Sequence, residues 1–571
     1  MKLTLINEIY NVETDSFSLN VSSNMIDVFL AGESVARLVP GCILDVTNEE
    51  KDGCFSDVDE ALTCFSLKEK QPITFEWKTK SNLWHEKTYS LTCFEDHAEF
   101  TVTVKGHGAV DTIKYFTYNK KAGDKIIQVK GCQEFYEGFY PNIYEMGYDG
   151  TYRADHEKSV SSTLTVPPMF LHAFKTAGIS EVLSFSAIAE MGEHNFTRLA
   201  YHPDMFFTTD QDGHTYVDGQ WTAPKIVITV ADSYYNACER YSNYYFDNGI
   251  CEKNSKTDRP RFWYGPIACG WFEHAAASEP GLGMTDMAKE SLYSNMIRKF
   301  DERDVHPKIL IIDDKWMTDY GTATVNTKKW PDLRRFIDNT RKDHGIHTFL
   351  WFRLWPEDDE RVPREYCVYD EIEKVYVADP SNPGFREMLK ETLHRLLSSD
   401  EGCYNADGLK VDFGFRWPRG RRACSYSSKY GTELIYEYIK LIHDTAKEVK
   451  PHAVINASPA HPIFDSIVDH ARLHDYDAKN RRTLEEFAHR AKIWGTALPS
   501  SLIDMDGGAV STNRDVMRFL LGQADYGIPD LYYISDFKHF KLTADEWAQV
   551  SRAWKDYNEK MDMLHGVDDL I

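Results

Sequence analysis

The 571-residue chain has no Cys-x-x-Cys pair among its eleven cysteines, no run near the ~18 apolar residues of a membrane-spanning helix, and no glycine-rich nucleotide-binding loop. It also has little basic charge to set against its acids. The scattered, odd-numbered cysteines exclude a full disulfide framework and lead us to expect a reduced, cytoplasmic protein. The start MKLTLINEIY lacks a basic segment followed by an apolar one, so no secretory signal is expected. A net charge of -24 disfavours nucleic acid and anionic membrane surfaces as partners, because both repel an acidic chain at long range. Histidines cluster at DHGIH and DHARLHD without completing a His-x-x-x-His/Glu set, so we expect neither a metal nor another cofactor.

What is present changes texture once, near residue 250. Before it, ITFEWKTK, AEFTVTVKG and KIVITVAD alternate or cluster β-branched and aromatic residues between turn residues, the pattern of a large antiparallel β-domain. The run from Ser233 to Phe262 reads as a helix ending in a polar, Pro-terminated linker. Beyond it, short apolar runs alternate with amphipathic stretches such as TELIYEYIKLIHDTAKEV, which implies βαβ units and a parallel sheet. Eight candidate strands, YGPIACGW, KILIIDD, HTFLWFRLW, GLKVDFGF, HAVINAS, ARLHDYD, PSSLID and LYYISDF, fall within roughly 300 residues, the size of a (β/α)₈ barrel. The expected architecture is an N-terminal antiparallel β-sandwich over 1–250 followed by a catalytic (β/α)₈ TIM barrel over 251–565.

The strands run into chemistry at their C-terminal ends: Trp271, Asp313 with Asp314, Trp351 with Arg353, Lys410 with Asp412, Ser458, Arg472 with Asp475, Asp504, and Ser535 with Asp536. Barrel strand ends meet in one mouth, so these groups are expected to converge in a single pocket, which independent helix caps would not do. Carboxylates, cations and indoles suit a neutral polyhydroxylated ligand, because carboxylates accept from hydroxyls while indoles cover the apolar face of a sugar. Cleaving a glycosidic bond needs two carboxylates flanking it. Asp412 and Asp475 are the candidate pair. Asp412 lies two residues from Lys410, on one face of a strand, and a nearby cation favours its ionised form.

These segments resemble the α-glycosidase clan of glycoside hydrolase families 27, 31 and 36, most nearly families 36 and 31. IIDDKW is similar to the LDDGW segment of family 36, which implies that Asp313 and Asp314 bind the 4- and 6-hydroxyls of the terminal sugar. GLKVDFGF resembles the KWD strand of family 36 and the KTDFGE strand of family 31, implying Asp412 as nucleophile and Lys410 as a sugar-binding cation. RLHDYDA resembles their SDNTD and GDN segments, implying Asp475 as acid/base. Trp271, Trp351, Arg353, Ser458 and Arg472 complete the expected substrate contacts. The chain differs where NASPAHP replaces the family 36 CSGGGGR segment, where Phe415 replaces a glutamate of family 31, and where Lys315 replaces the glycine of DDGW. It stops about where such enzymes begin a C-terminal β-sandwich, so that domain is expected to be absent or truncated.

The resemblance implies a retaining exo-acting α-glycoside hydrolase with an oligosaccharide or glycoside as partner, compatible with a homo-oligomer. α-Galactosidase stands ahead of α-glucosidase, α-xylosidase or an α-transglycosylase. A non-catalytic carbohydrate-binding relative and a metal-dependent barrel hydrolase are the competing classes.

Overall fold

The computed structural model describes residues 1–48, 53–132, 160–165, 169–254, 258–278, 281–473, 483–506, 515–532, 534–536 and 541–566. The N-terminal part is antiparallel. A five-stranded meander over residues 2–38 is followed by a twelve-stranded sheet organised on two long strands, His97–Tyr115 and Phe206–Thr222. Strict alternation of buried and half-buried residues in Ile73–Thr79 and Glu86–Cys93 is what one packed face and one wetter face produce. Helix α1 (Tyr234–Asp247), capped by Ser233, packs on this sheet and also on a helix of the second part.

The second part is a parallel eight-stranded sheet of β1 (Ile267–Cys269), β2 (Ile309–Ile312), β3 (His347–Arg353), β4 (Gly408–Asp412), β5 (Val454–Ala457), β6 (His470–Arg472), β7 (Leu502–Asp504) and β8 (Asp530–Leu531). All eight expected strands are found. The sheet runs in sequence order from β1 to β7, with β8 paired to β1. It closes between β7 and the approach to β8, where Ile528 N donates to Ile503 O at 2.7 Å. Barrel strands are covered by side chains inside and helices outside, which is why β2 and β5 are buried at every position.

Helices α2 (Glu290–Arg303), α3 (Leu333–His344), α4 (Pro383–Leu397), α5 (Gly431–Val449), α6 (Thr483–Ala497), α7 (Val516–Gly522) and α8 (Ala544–His565) lie outside the barrel. The first turn of α5, which follows the Asp412 strand, is anchored to the N-terminal part. Thr432 N donates to Phe196 O at 3.0 Å, and Glu433 accepts from Gly192 N at 2.7 Å and contacts His194 Nδ1 at 3.1 Å. Gly431 makes this possible: its φ is +57°, and a Cβ there would sit 2.8 Å from the Phe196 backbone. The two parts share one continuous apolar core.

Candidate active site

Asp412 ends β4 and is held by three donors. Its Oδ1 accepts from Arg472 Nη2 at 2.8 Å and from Phe413 N at 2.8 Å, and its Oδ2 accepts from the Trp351 indole at 3.0 Å. Register explains the set: Trp351 lies on neighbouring β3, whereas Arg472 reaches across from β6, two strands away. Burial pushes the Asp412 carboxyl up, but Arg472, Lys410, the Phe413 amide and the indole outweigh it and hold the group well below the ordinary carboxylate range. The side chain keeps 23% of its surface open. Asp412 is therefore an ionised, oriented carboxylate that a ligand can reach. Phe413 itself takes φ +61°, a left-handed conformation unusual for a bulky residue and typical of strained functional turns.

Lys410 does not contact Asp412. Its Nζ donates to Asp313 Oδ2 at 2.8 Å and to the Tyr532 hydroxyl at 3.2 Å, with Cys269 Sγ at 3.5 Å. Burial opposes its charge, yet Asp313 and the other neighbours raise its pKa well above the ordinary lysine value. Asp313 also accepts from Cys269 Sγ at 3.0 Å and, through Oδ1, from Asp314 N at 2.9 Å. Its own amide donates to Tyr293, whose hydroxyl fits only because residue 270 is glycine: a Cβ there would overlap that oxygen. The pair anchors a network that continues from Tyr532 to Asp506, with Arg472 Nη1 on the other Asp506 oxygen at 2.7 Å. Arg472 thus bridges two carboxylates. Nearby, burial and then the charge of Asp506 push the Asp504 carboxyl up, and burial with the charges of Asp504 and Asp506 pushes that of Asp530 up.

Asp314 differs from its neighbour. Oδ2 accepts from the Tyr320 hydroxyl at 3.1 Å, while Oδ1 is buried without a partner among the described residues. Burial, then the charge of Asp313, push this carboxyl up to about 7 against the pull of Tyr320 and Lys315. A carboxylate whose folded pKa is raised favours folding while protonated. That contribution is complete below the ordinary carboxylate pKa and is lost as pH rises through about 7. Asp314→Asn should therefore raise the thermal midpoint by about 2 °C or more at pH 8 and change it little at pH 4, as followed by calorimetry. An equal shift at both pH values would show that Asp314 does not titrate in this way.

The remaining expected contacts are spread more widely. Ser458 lines the Asp412 pocket together with Arg472, Phe415 and Trp417. Arg353 pairs with Glu357 at 2.9 Å and lies over the Tyr320 ring at 4.7 Å, on the rim. Trp271 opens a short helix, Trp271–Ala277, with its indole against His274. The expectation that every strand end converges fails after β8. Ser535 is bound by Glu273 and Lys299, and Asp536 pairs with Arg303 at 3.4 Å in a groove by α8, so both face the helices. The chain has already turned outward there, because β8 ends at Leu531. Asp475 lies outside the described residues.

Tyr320, Tyr532 and Asp506 were not singled out from sequence, as each stands in a loop or beyond a short strand. The motif of alternate residues in SLIDMD, placing Asp504 and Asp506 two apart, was the available signal for the last. Among the described residues no group of histidine, cysteine, aspartate and glutamate side chains could hold a metal, and no helix is long and apolar enough to cross a membrane. All eleven cysteines are free.

Residues 280–432, from before α2 to the first turn of α5, match the family model described as the glycosyl hydrolases family 31 TIM-barrel domain, so this part of the barrel is similar to a glycoside hydrolase domain. No curated protein matches the chain. Among solved structures, the fold is similar to a cycloalternan-forming enzyme from Listeria monocytogenes in complex with a pentasaccharide substrate, at 12% identity and a TM-score of 0.50, over 98% of this chain and 54% of that one. It is similar to an α-galactosidase from Thermus thermophilus in complex with stachyose, at 12% identity and TM-score 0.51, over 86% and 99%. It is also similar to a Flavobacterium johnsoniae family 31 dextranase complexed with glucose, at 10% identity and TM-score 0.51, over 99% and 70%. The chain spans 54% of the length of the Listeria proteins it matches.

Proposed function

We propose that the chain is a retaining exo-acting α-glycoside hydrolase in which Asp412 is the nucleophile and Asp475 the acid/base. The observation that carries this reading is Asp412 itself: held ionised by Arg472, oriented by an indole and a backbone amide, and open at the C-terminal mouth of the barrel. Oδ2, with a single indole donor, keeps a lone pair for the anomeric carbon. Attack there forms the glycosyl ester as the bond to the leaving oxygen breaks and that oxygen takes a proton from Asp475. Water, deprotonated by the same residue, then cleaves the ester. Asp314, with its unpaired buried oxygen, accepts a hydroxyl of the terminal sugar, and Lys410 is held by Asp313 to donate to another.

The paired aspartates, similar to the family 36 segment, favour an α-galactoside. The family 31 match over residues 280–432 favours, as a second reading, an α-glucoside, an α-xyloside or transfer to an acceptor sugar. Screening aryl α-galactosides, α-glucosides and α-xylosides, each with and without a chelator, should give chelator-insensitive release of the phenol from one of them with retention at the anomeric carbon. Release lost on chelation would replace this reading with metal-dependent hydrolysis, and no release from any would favour a non-catalytic sugar-binding relative.

A further inference from the structure

A second cavity, of about 450 Å³, opens in the N-terminal part and shares no residue with the Asp412 pocket. It lies where the tip of the meander at Ser23 and Asn24 meets the loop through Asp59 and the strand Thr117–Ala122. Its size is that of a small-ligand site.

Its wall holds a carboxylate that the protein leaves half-used. The Asp59 side chain is 7% exposed; Oδ1 accepts from Lys87 Nζ at 2.8 Å, while Oδ2 is buried with no partner among the described residues. Lys87 is fully buried and also bonds Asp57 at 2.5 Å, so one cation serves two carboxylates. Burial pushes the Asp59 carboxyl up to about 6 against the pull of Lys87, with Asp57 adding to the rise. A buried acceptor left open in this way costs stability unless something donates to it.

The other lining groups select the donor. Two exposed lysines, Lys120 and Lys121, face two carboxylates, Asp59 and the exposed Glu60, around the cavity, so the wall carries no surplus of either sign to select a cation or an anion. A purely apolar ligand would leave Oδ2 unpaired. The half-buried Tyr118 lines the cavity beside these polar groups, and an aromatic side chain among hydrogen-bonding groups suits a neutral ligand with hydroxyls on its edge and an apolar face.

We propose that this cavity is a non-catalytic carbohydrate-binding site, with Asp59 accepting a sugar hydroxyl and Tyr118 packing on the ring. It rests on the proposed function only for the choice of probe sugars. Stachyose and isomaltotriose are each titrated calorimetrically into the full chain carrying Asp412→Asn, which keeps the sugar intact. The expected result with at least one sugar is a second binding event beside that of the barrel, weakened at least about tenfold by Tyr118→Ala. Ala61→Arg, at an exposed lining position where a long side chain fills the cavity without entering the core, should do the same. One binding event or none with both sugars, or a second event unchanged by both variants, would overturn the proposal. Binding is read here without turnover, so failure of the hydrolase reading would appear separately, as turnover that persists in Asp412→Asn.

Discussion

Asp412→Asn lowers turnover of the best aryl α-glycoside by at least about 10³-fold, on the order of 4 kcal/mol of transition-state stabilisation, while the chain stays folded. The amide occupies the same space and its one oxygen can still accept from Phe413 and Arg472, but its NH2 group, in the place of Oδ2, can neither accept from Trp351 nor form the glycosyl ester. Arg472 retains Asp506 as a counter-charge at 2.7 Å, so the change does not strand a buried cation. Asp475→Asn should behave differently. It should spare substrates with very acidic leaving groups in the first step, since these need little protonation, and azide should return activity as a β-configured glycosyl azide. Steady-state rates across leaving groups of graded acidity check both. Turnover within tenfold of the wild type in Asp412→Asn would remove it from the nucleophile role, and equal losses on activated and unactivated substrates would do the same for Asp475.

Asp313→Ala is expected to destabilise the chain by about 3–5 kcal/mol, because it leaves Lys410 as an uncompensated charge in a site 4% exposed. Replacing both partners, with Asp313→Leu and Lys410→Met together, should recover most of that loss, since no charge is then buried, yet should leave the enzyme without its sugar contacts. Asp314→Ala should show the opposite balance. It removes a carboxylate that raises the cost of folding above neutral pH, and it should reduce kcat/KM at least about tenfold by removing a hydrogen bond worth about 1.5–3 kcal/mol. Denaturant unfolding of these three variants and of Asp313→Leu and Lys410→Met singly, with kinetics on 4-deoxy and 6-deoxy substrates, tests the pair. Stability losses that simply add in the double variant would deny the Asp313–Lys410 coupling. An Asp314→Ala penalty that persists on both deoxy substrates would deny its hydroxyl contact.

How much of the site was legible follows from strand geometry. KILIIDDKW and GLKVDFGF announced barrel strands because a strand buried on both sides must be apolar along its length and can turn polar only where it leaves the core. Pairing across the barrel was not legible. Lys410 and Asp412 share a face, and the lysine charge does favour the ionised aspartate as the sequence suggested, but through space and without contact. Alternate residues on a strand are about 6.6 Å apart, and the long lysine side chain crosses to Asp313 on β2. The cation in contact with Asp412 comes from β6. Likewise Asp536 read as a strand-end carboxylate, but β8 ends at Leu531 and the chain bends out to Arg303 before reaching it.

The sequence alone determined the element order, the antiparallel-then-parallel layout, the eight strands and, for all but the last, the end at which polar groups gather, because periodicity and burial are local properties of a run of residues. Tertiary structure alone decided that Arg472 serves both Asp412 and Asp506, and that Asp313 is consumed by Lys410 while Asp314 keeps a free oxygen. It also decided that Asp59 is left half-paired beside a cavity more than 300 residues before the Asp412 strand. Those assignments depend on closure of the barrel and on the meeting of separate sheets, which bring together residues far apart in the chain. Which of two equally charged neighbours wins a given partner is settled by distance and burial in that closed interior, where an unpaired charge is costly enough to enforce the choice.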